Sequence, residues 1–246
     1  MTRAIVTIGN FDGVHLGHLK LIEQVVSRAR ALGLASFAIT FDPHPEQVLV
    51  PERKLTYLST AEERKEILEQ SGIDSVWICP FTRELARLEP EEFMHLVTER
   101  QPIAELWVGA DFGLGRGRKG TIAVLAELGA ASGWGLHMVA PQTLEGQIVS
   151  STAIRTLLAA GAIRGAADLL GRPYTVPGHV EGDMLLVDPR RAVPKTGVNY
   201  EAQLQQDDAA FDGVVSVEPD PLRIELDPRA PHHQGPARVT FLRRAD

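Results

Sequence analysis

The sequence predicts an α/β protein in which a parallel sheet is followed by a small β-rich companion. Three observations carry that expectation. Short, uncharged, β-branched runs alternate with amphipathic helical stretches through the first two-thirds of the chain. The texture changes at Gly171-Arg172-Pro173-Tyr174, beyond which prolines are frequent and short apolar runs are separated by turn residues. A chain of 246 residues is long enough for one large domain with a small partner, and the expected division is 1–172 and 173–246.

Each element has a local reason. Ala4–Ile8 reads as a buried strand broken by Gly9, and Leu19, Leu21, Ile22, Val25, Val26 and Ala29 then recur at helical spacing until Gly33. Further strands are expected at Ala35–Thr40, Ser75–Ile78, Glu105–Val108 and Gly135–Val139. Ser59 and Glu62 have capping-box spacing ahead of a helix that Gly72 ends. Another helix starts at Pro90 and runs through Phe93, Leu96 and Val97, and Thr121 to Ala131, rich in Ala and Leu, also reads helical. Two short helices, Ser150 to Leu158 and Gly165 to Leu170, close this region. Beyond it six strands are expected, at Val176–Val180, Leu185–Val187, Tyr200–Leu204, Gly213–Val217, Leu222–Leu226 and Ala237–Leu242. Asp207-Asp208 and Pro231-His232-His233 read as solvated loops, the two histidines as surface residues and not a metal site.

Composition narrows the function classes. With 44% hydrophobic and 23% charged residues the chain has the make-up of a soluble globular protein. No apolar run approaches a membrane span, and Met1-Thr2-Arg3 leads straight into a strand with no signal peptide, so no membrane partner and a cytoplasmic location are expected. A formal charge of -7 argues against broad nucleic-acid binding. Cys79 is the only cysteine, which excludes an intramolecular disulfide or a cysteine metal cluster and suits a small apolar role in its strand. Homo-oligomerisation is left open.

The densest chemistry lies in Gly9-Asn10-Phe11-Asp12-Gly13-Val14-His15-Leu16-Gly17-His18, where a strand ends and a helix begins. Unpaired N–H groups and the macrodipole favour an anion at such a helix start. His15 and His18 add donors able to neutralise a phosphate whose charge changes during reaction. The structural alternative has His15 capping the turn and His18 partly buried; the glycines, Asp12 and the strand-to-helix placement favour the phosphate reading. Three more segments carry ligand chemistry. Phe41-Asp42-Pro43-His44-Pro45 is a stiff loop at the end of the second strand. Val108 to Gly120 is glycine-dense, with Asp111 as an acceptor and Phe112 as a stacking face. Its Arg116, Arg118 and Lys119 suit a solvated loop or a phosphate clamp equally. In Val149-Ser150-Ser151-Thr152-Ala153-Ile154-Arg155, hydroxyls stand at a helix start and Arg155 follows one turn later with a fork suited to triphosphate oxygens.

The H-x-G-H pair after a first strand resembles the nucleotidyltransferase superfamily. The fuller string GNFDGVHLGH, with F-D-P-H-P and S-S-T-x-I-R, resembles its flavin branch, the bacterial bifunctional riboflavin kinase/FMN adenylyltransferases. That resemblance implies a Rossmann-like first domain joining FMN to ATP, with FAD and pyrophosphate as products and Mg2+ carried on the ATP. It implies that His15, His18 and Arg155 are catalytic, and that Gly9, Asn10, Phe11, Asp12, Gly17, Ser150, Ser151 and Thr152 bind ATP. Asp42, His44, Asp111 and Phe112 would bind the flavin, with Tyr57 or Phe81 lining its pocket, and no protein metal ligand is implied. Two departures stand out. Leu114 replaces an aromatic residue frequent in the family, and the second domain starts like a riboflavin kinase at Tyr174 to Gly182 but lacks its G-x-P-T-A-N loop. A shortened, kinase-inactive barrel is therefore expected, with Glu225 an exposed strand residue. Two alternatives stay open: an adenylyl- or cytidylyltransferase for another phosphorylated acceptor, and a non-catalytic flavin- or nucleotide-binding regulator.

Overall fold

The computed structural model describes residues 2–53, 55–219, 222–227 and 232–245; Met1 and Pro231, used in the readings above, lie outside them. The chain divides into two compact units, Met1–Leu55 with Ser59–Ile148, and Thr56–Leu58 with Val149–Asp246.

The first unit contains β1 (Ala4–Ile8), α1 (Leu16–Leu32), β2 (Ala35–Asp42), α2 (Pro45–Leu49), α3 (Ala61–Gln70) and β3 (Ser75–Pro80). It continues through α4 (Pro90–Arg100), β4 (Ile103–Gly109), α5 (Ile122–Ser132), β5 (Gly135–Val139) and a ribbon of β6 (Thr143–Leu144) and β7 (Gln147–Ile148). The five main strands form one parallel sheet in the order β3-β2-β1-β4-β5. Every residue of β1 is buried, as a central strand covered on both faces requires. Ile5, Ile22, Val25, Ala38 and Leu68 form the core on one face, under α1 and α3. Val6, Ile8, Phe93, Val97, Leu106 and Leu125 form the core on the other, under α4 and α5. Burying an aliphatic side chain of this size stabilises the fold by about 1.5–3 kcal/mol.

One helix start differs from its expected form. The capping box of α3 uses Thr60 and Glu63, with Thr60 N–H to Glu63 Oε2 at 2.7 Å and Glu63 N–H to Thr60 Oγ1 at 3.2 Å. The Ser59–Glu62 spacing exists in the sequence, but Ser59 is drawn into the β1–α1 loop instead.

The second unit holds α6 (Ser151–Ala160), α7 (Ile163–Leu170) and six antiparallel strands: β8 (Tyr174–Glu181), β9 (Met184–Leu186), β10 (Asn199–Gln206), β11 (Ala209–Pro219), β12 (Leu222–Glu225) and β13 (Gly235–Arg244). They close into a barrel in the order β10-β11-β12-β9-β8-β13. Alternate residues of β10 point inward, among them Tyr200, whose ring meets Phe241 edge-on at 5.5 Å. Buried Arg191 donates to Tyr174 Oη at 3.0 Å and to the Thr175 carbonyl at 2.6 Å. Helix α7 packs on β8 and β13, so the main segment of this unit starts at Val149, and the change of texture at Gly171 marks the entry into β8. His232 is more enclosed than a solvated loop residue: its side chain is 9% exposed, with Nε2 3.3 Å from Asp183 and 3.1 Å from the Gly182 carbonyl. His233 is exposed, 3.2 Å from Asp207.

Candidate active site

Strand order reverses between β1 and β4, and the carboxyl ends of strands at such a point open a ligand crevice in parallel sheets. The Gly9–His15 loop follows β1 there, and the glycine-dense segment follows β4; the Asp42–His44 loop leaves neighbouring β2. Three of the expected binding segments thus share one end of the sheet.

His15 is the N-cap of α1, and its Nδ1 accepts the His18 N–H at 3.4 Å. An imidazole that accepts at Nδ1 carries its proton on Nε2, so His15 presents a ring N–H donor there. Its ring stacks on His18 with centroids 3.7 Å apart and 14° between planes, and Phe11 meets His18 edge-on at 5.2 Å. Capping and phosphate-facing readings of His15 are compatible, because they use different ring nitrogens. The loop is strained: Phe11 has φ 49 and Val14, a buried β-branched residue, has φ 39. Such conformations cost about 1–3 kcal/mol each and cluster at functional sites. Gly9 is required by packing, since a Cβ there would lie 2.9 Å from the Phe11 ring.

The remaining loop residues face two ways. Asn10 is exposed and half-buried Gly17 lies in the first turn of α1, whereas Phe11 and Asp12 are interior at 1% and 2% exposure. The Asp12 carboxylate accepts from Ser59 N–H at 3.1 Å and Ser59 Oγ at 3.5 Å, while Ser59 Oγ accepts from Gly13 N–H at 2.8 Å. Asp12 thereby fastens the β1–α1 loop to the start of α3.

Arg64 ends the Tyr57-Leu58-Ser59-Thr60 and Glu62-Glu63-Arg64 string, which is similar to family members but by itself assigns Arg64 no role. It is 3% exposed and donates from Nε to Thr40 Oγ1 at 3.2 Å, from Nη1 to the Ser59 carbonyl at 2.9 Å and from Nη2 to the Phe41 carbonyl at 2.6 Å. Burial lowers its pKa, and the charges of Asp12 and Asp42 act in the opposite direction. Ala61, Arg64 and Leu68 form the buried stripe of α3, so an arginine at an apolar position of the helical period was the available signal.

In the β2 loop, Asp42 is exposed and joined to Pro43 by a cis peptide, and its carbonyl accepts the Phe81 N–H at 2.8 Å. His44 caps α2, its Nδ1 accepting the Glu46 N–H at 3.2 Å. Phe81 packs edge-on against Phe41 at 5.5 Å. After β4, Asp111 is exposed, and Phe112 is half-buried against the core. Leu114 is buried and pairs with Gly120 across the loop. The three cations here have partners in the fold. Lys119 and Arg116 reach Glu89 at 3.0 Å and 3.7 Å, and Arg118 donates to the Asp111 carbonyl at 2.6 Å.

In the barrel unit, Ser150 caps α6 by accepting the Ala153 N–H at 3.2 Å. Ser151 and Thr152 occupy its first turn, and Arg155 Nη2 lies 3.4 Å from Thr152 Oγ1. Tyr57 belongs to this unit, where burial and a hydrogen bond with Asp188 hold its phenol above the usual range. Strands β8 and β9 are joined by only Gly182 and Asp183, with Gly182 at φ 57. Glu225 is exposed, 3.2 Å from Ser216 Oγ.

Comparison with known proteins bears on this arrangement. The model of the FAD synthetase family matches residues 1–153. The bifunctional riboflavin kinase/FMN adenylyltransferase of Listeria monocytogenes is 31% identical over 226 residues, covering 87% of this chain and 71% of the relative. That of Pseudomonas fluorescens is 33% identical over 225 residues, covering 87% and 72%. That of Escherichia coli K12 is 34% identical over 185 residues, covering 74% and 58%. A crystal structure of a macrolide-efflux protein from Streptococcus pneumoniae aligns with a TM-score of 0.86 over 100% of this chain and 86% of that one; at 23% identity it speaks to the fold alone.

Proposed function

Because the chain belongs to the FAD synthetase family, we propose that it transfers AMP from ATP to FMN, giving FAD and pyrophosphate. The stacked His15–His18 pair at the start of α1, beside the point where the strand order reverses, carries this reading. A phosphate oxygen of FMN attacks the α-phosphorus of magnesium-bound ATP. One P–O bond forms to the flavin phosphate, and the bridge to the β-phosphorus breaks with its electron pair leaving on pyrophosphate. Such transfer needs alignment and charge neutralisation more than a protein nucleophile. His15 contributes its Nε2–H and His18 its ring to the negative charge developing on the phosphoryl oxygens, assisted by the helix start. Arg155 is assigned to the leaving pyrophosphate. Asn10, Gly17, Ser150, Ser151 and Thr152 are assigned to ATP, with Gly9, Phe11 and Asp12 shaping the loop. Asp42, His44, Asp111 and Phe112 are assigned to the flavin.

The barrel is assigned no riboflavin kinase activity. Where the kinase resemblance calls for a nucleotide loop, the chain has a two-residue hairpin turn closed by Gly182 and Asp183, and His232 sits against it. That turn offers no stretch of backbone long enough to wrap a phosphate chain. The test is chromatographic: protein, ATP and Mg2+ are incubated in turn with FMN, riboflavin, and other phosphorylated acceptors. FAD from FMN and no FMN from riboflavin is the expected result. Transfer to another acceptor in preference to FMN overturns the substrate assignment, and tight flavin binding without product favours a regulator.

A further inference from the structure

We propose that Arg64 is a positioning residue that sets the nucleotide loop and the flavin loop in register, acting through the Thr40 hydroxyl; this rests on the adenylyl-transfer reading above. A guanidinium can only donate, so Thr40 Oγ1 must turn a lone pair towards Arg64 Nε. The single hydroxyl proton of Thr40 is then directed to the Asn10 carbonyl, 3.0 Å away. With that carbonyl fixed, the Phe11 N–H across the trans peptide is fixed in the opposite direction. The same guanidinium holds the Phe41 carbonyl immediately before Asp42, and the carbonyl of Ser59, whose N–H and Oγ clasp Asp12 and Gly13. One planar group therefore orients peptides in both loops that the reaction has to align.

The charge distribution fits the same role. The negative charges of Asp12 in the nucleotide loop and Asp42 in the flavin loop, with Glu62 and Glu63 of its own helix, act against the effect of burial on Arg64. A buried guanidinium with three nitrogens each bonded to a different acceptor is geometrically demanding, and lysine, with a compact point charge, cannot reproduce its fork. Isolated stabilisation of α3 does not call for this design, because an aliphatic residue at the same stripe position buries more cheaply.

The test uses Thr40→Val, which keeps the side-chain shape and removes the hydroxyl, Thr40→Ser, which keeps the hydroxyl, and Arg64→Lys. FMN fluorescence titration counts folded binding sites per chain, and FAD formation is then measured per site at saturating FMN and Mg-ATP. Turnover per site in Thr40→Val and Arg64→Lys is expected to fall about 10- to 100-fold, the scale of a misplacement near 1 Å. Thr40→Ser is expected to restore most of the Thr40→Val loss. A Thr40→Val protein that turns over like wild type per site, or whose loss is wholly a loss of sites, overturns the inference. Wild-type protein that makes no FAD instead overturns the adenylyl-transfer reading itself.

Discussion

Replacing His15 separates the cap made by Nδ1 from the donor role proposed for Nε2–H. Asparagine at this position keeps an oxygen able to accept the His18 N–H, whereas alanine keeps nothing. At 3.4 Å the existing cap is long, which places its worth at the low end of the usual range, about 0.5–1 kcal/mol. Under the proposed mechanism the lost Nε2–H donor acts on charge that develops only in the transition state, where one such group contributes about 3 kcal/mol, or ~100-fold in rate. His15→Asn and His15→Ala should therefore share a fall of roughly 100-fold in kcat for FAD formation. Only His15→Ala should also lower the melting temperature, by about 1–4 °C for a protein of this size. Steady-state FAD formation and thermal unfolding of both variants check this. Near-wild-type turnover in His15→Asn would refute the donor role, because the cap is the one function that variant retains.

Three further outcomes are expected. Glu105 is held below the usual carboxylate range chiefly by Arg28, with Trp107 and His137 assisting against burial. Its folded-state pKa is depressed, so its contribution is present above pH ~4.3 and fades as pH falls through the folded value. Denaturant titrations of wild type and Glu105→Gln should accordingly diverge at neutral pH and converge as the pH is lowered. Gly115→Ala places a Cβ 3.0 Å from the Pro90 nitrogen at φ 70, so the β4 loop must shift; the KM for FMN should rise while that for ATP holds. Arg191→Met leaves the Thr175 carbonyl short of a donor inside the barrel and should cost about 1–3 kcal/mol, read as a lower melting temperature.

Much of the architecture was legible because it rests on strong local patterns. The β1, β2, β3, β4 and β5 segments and all six barrel strands fall where apolar runs and turn residues place them, several extended by ladder partners that no single run reveals. Weak patterns were lost. The β6–β7 ribbon has two residues per strand, too few to display a period. Ser59 and Thr60 both satisfy a capping-box spacing, and the choice between them is made by Asp12, 47 residues away in the chain from the Ser59 backbone it clasps. The hydrogen bond between the Tyr57 phenol and Asp188, within the barrel unit, links residues 131 positions apart and leaves no local trace in the sequence.

The opening motif illustrates why a string of functional residues does not resolve into roles by itself. Gly9 to His18 reads as one phosphate-binding unit, yet its side chains divide by direction. Phe11, Asp12 and Val14 are buried and hold a backbone that two positive φ angles make costly, while His15 spends Nδ1 on the helix start. Peptides beside Phe11 and Val14 are bonded from outside the motif: Ser59 Oγ accepts from Gly13 N–H, and Thr40, itself bonded by Arg64, donates to the Asn10 carbonyl. Those three lie near other segments in sequence and gain meaning only once β1 and β2 pair in parallel, with Ile8 opposite Ile39 and the two loops emerging side by side. Sequence pattern locates the groups assigned to phosphate because their chemistry is distinctive. The residues that aim them are ordinary in kind, and it is the parallel register of the sheet that makes them part of the site.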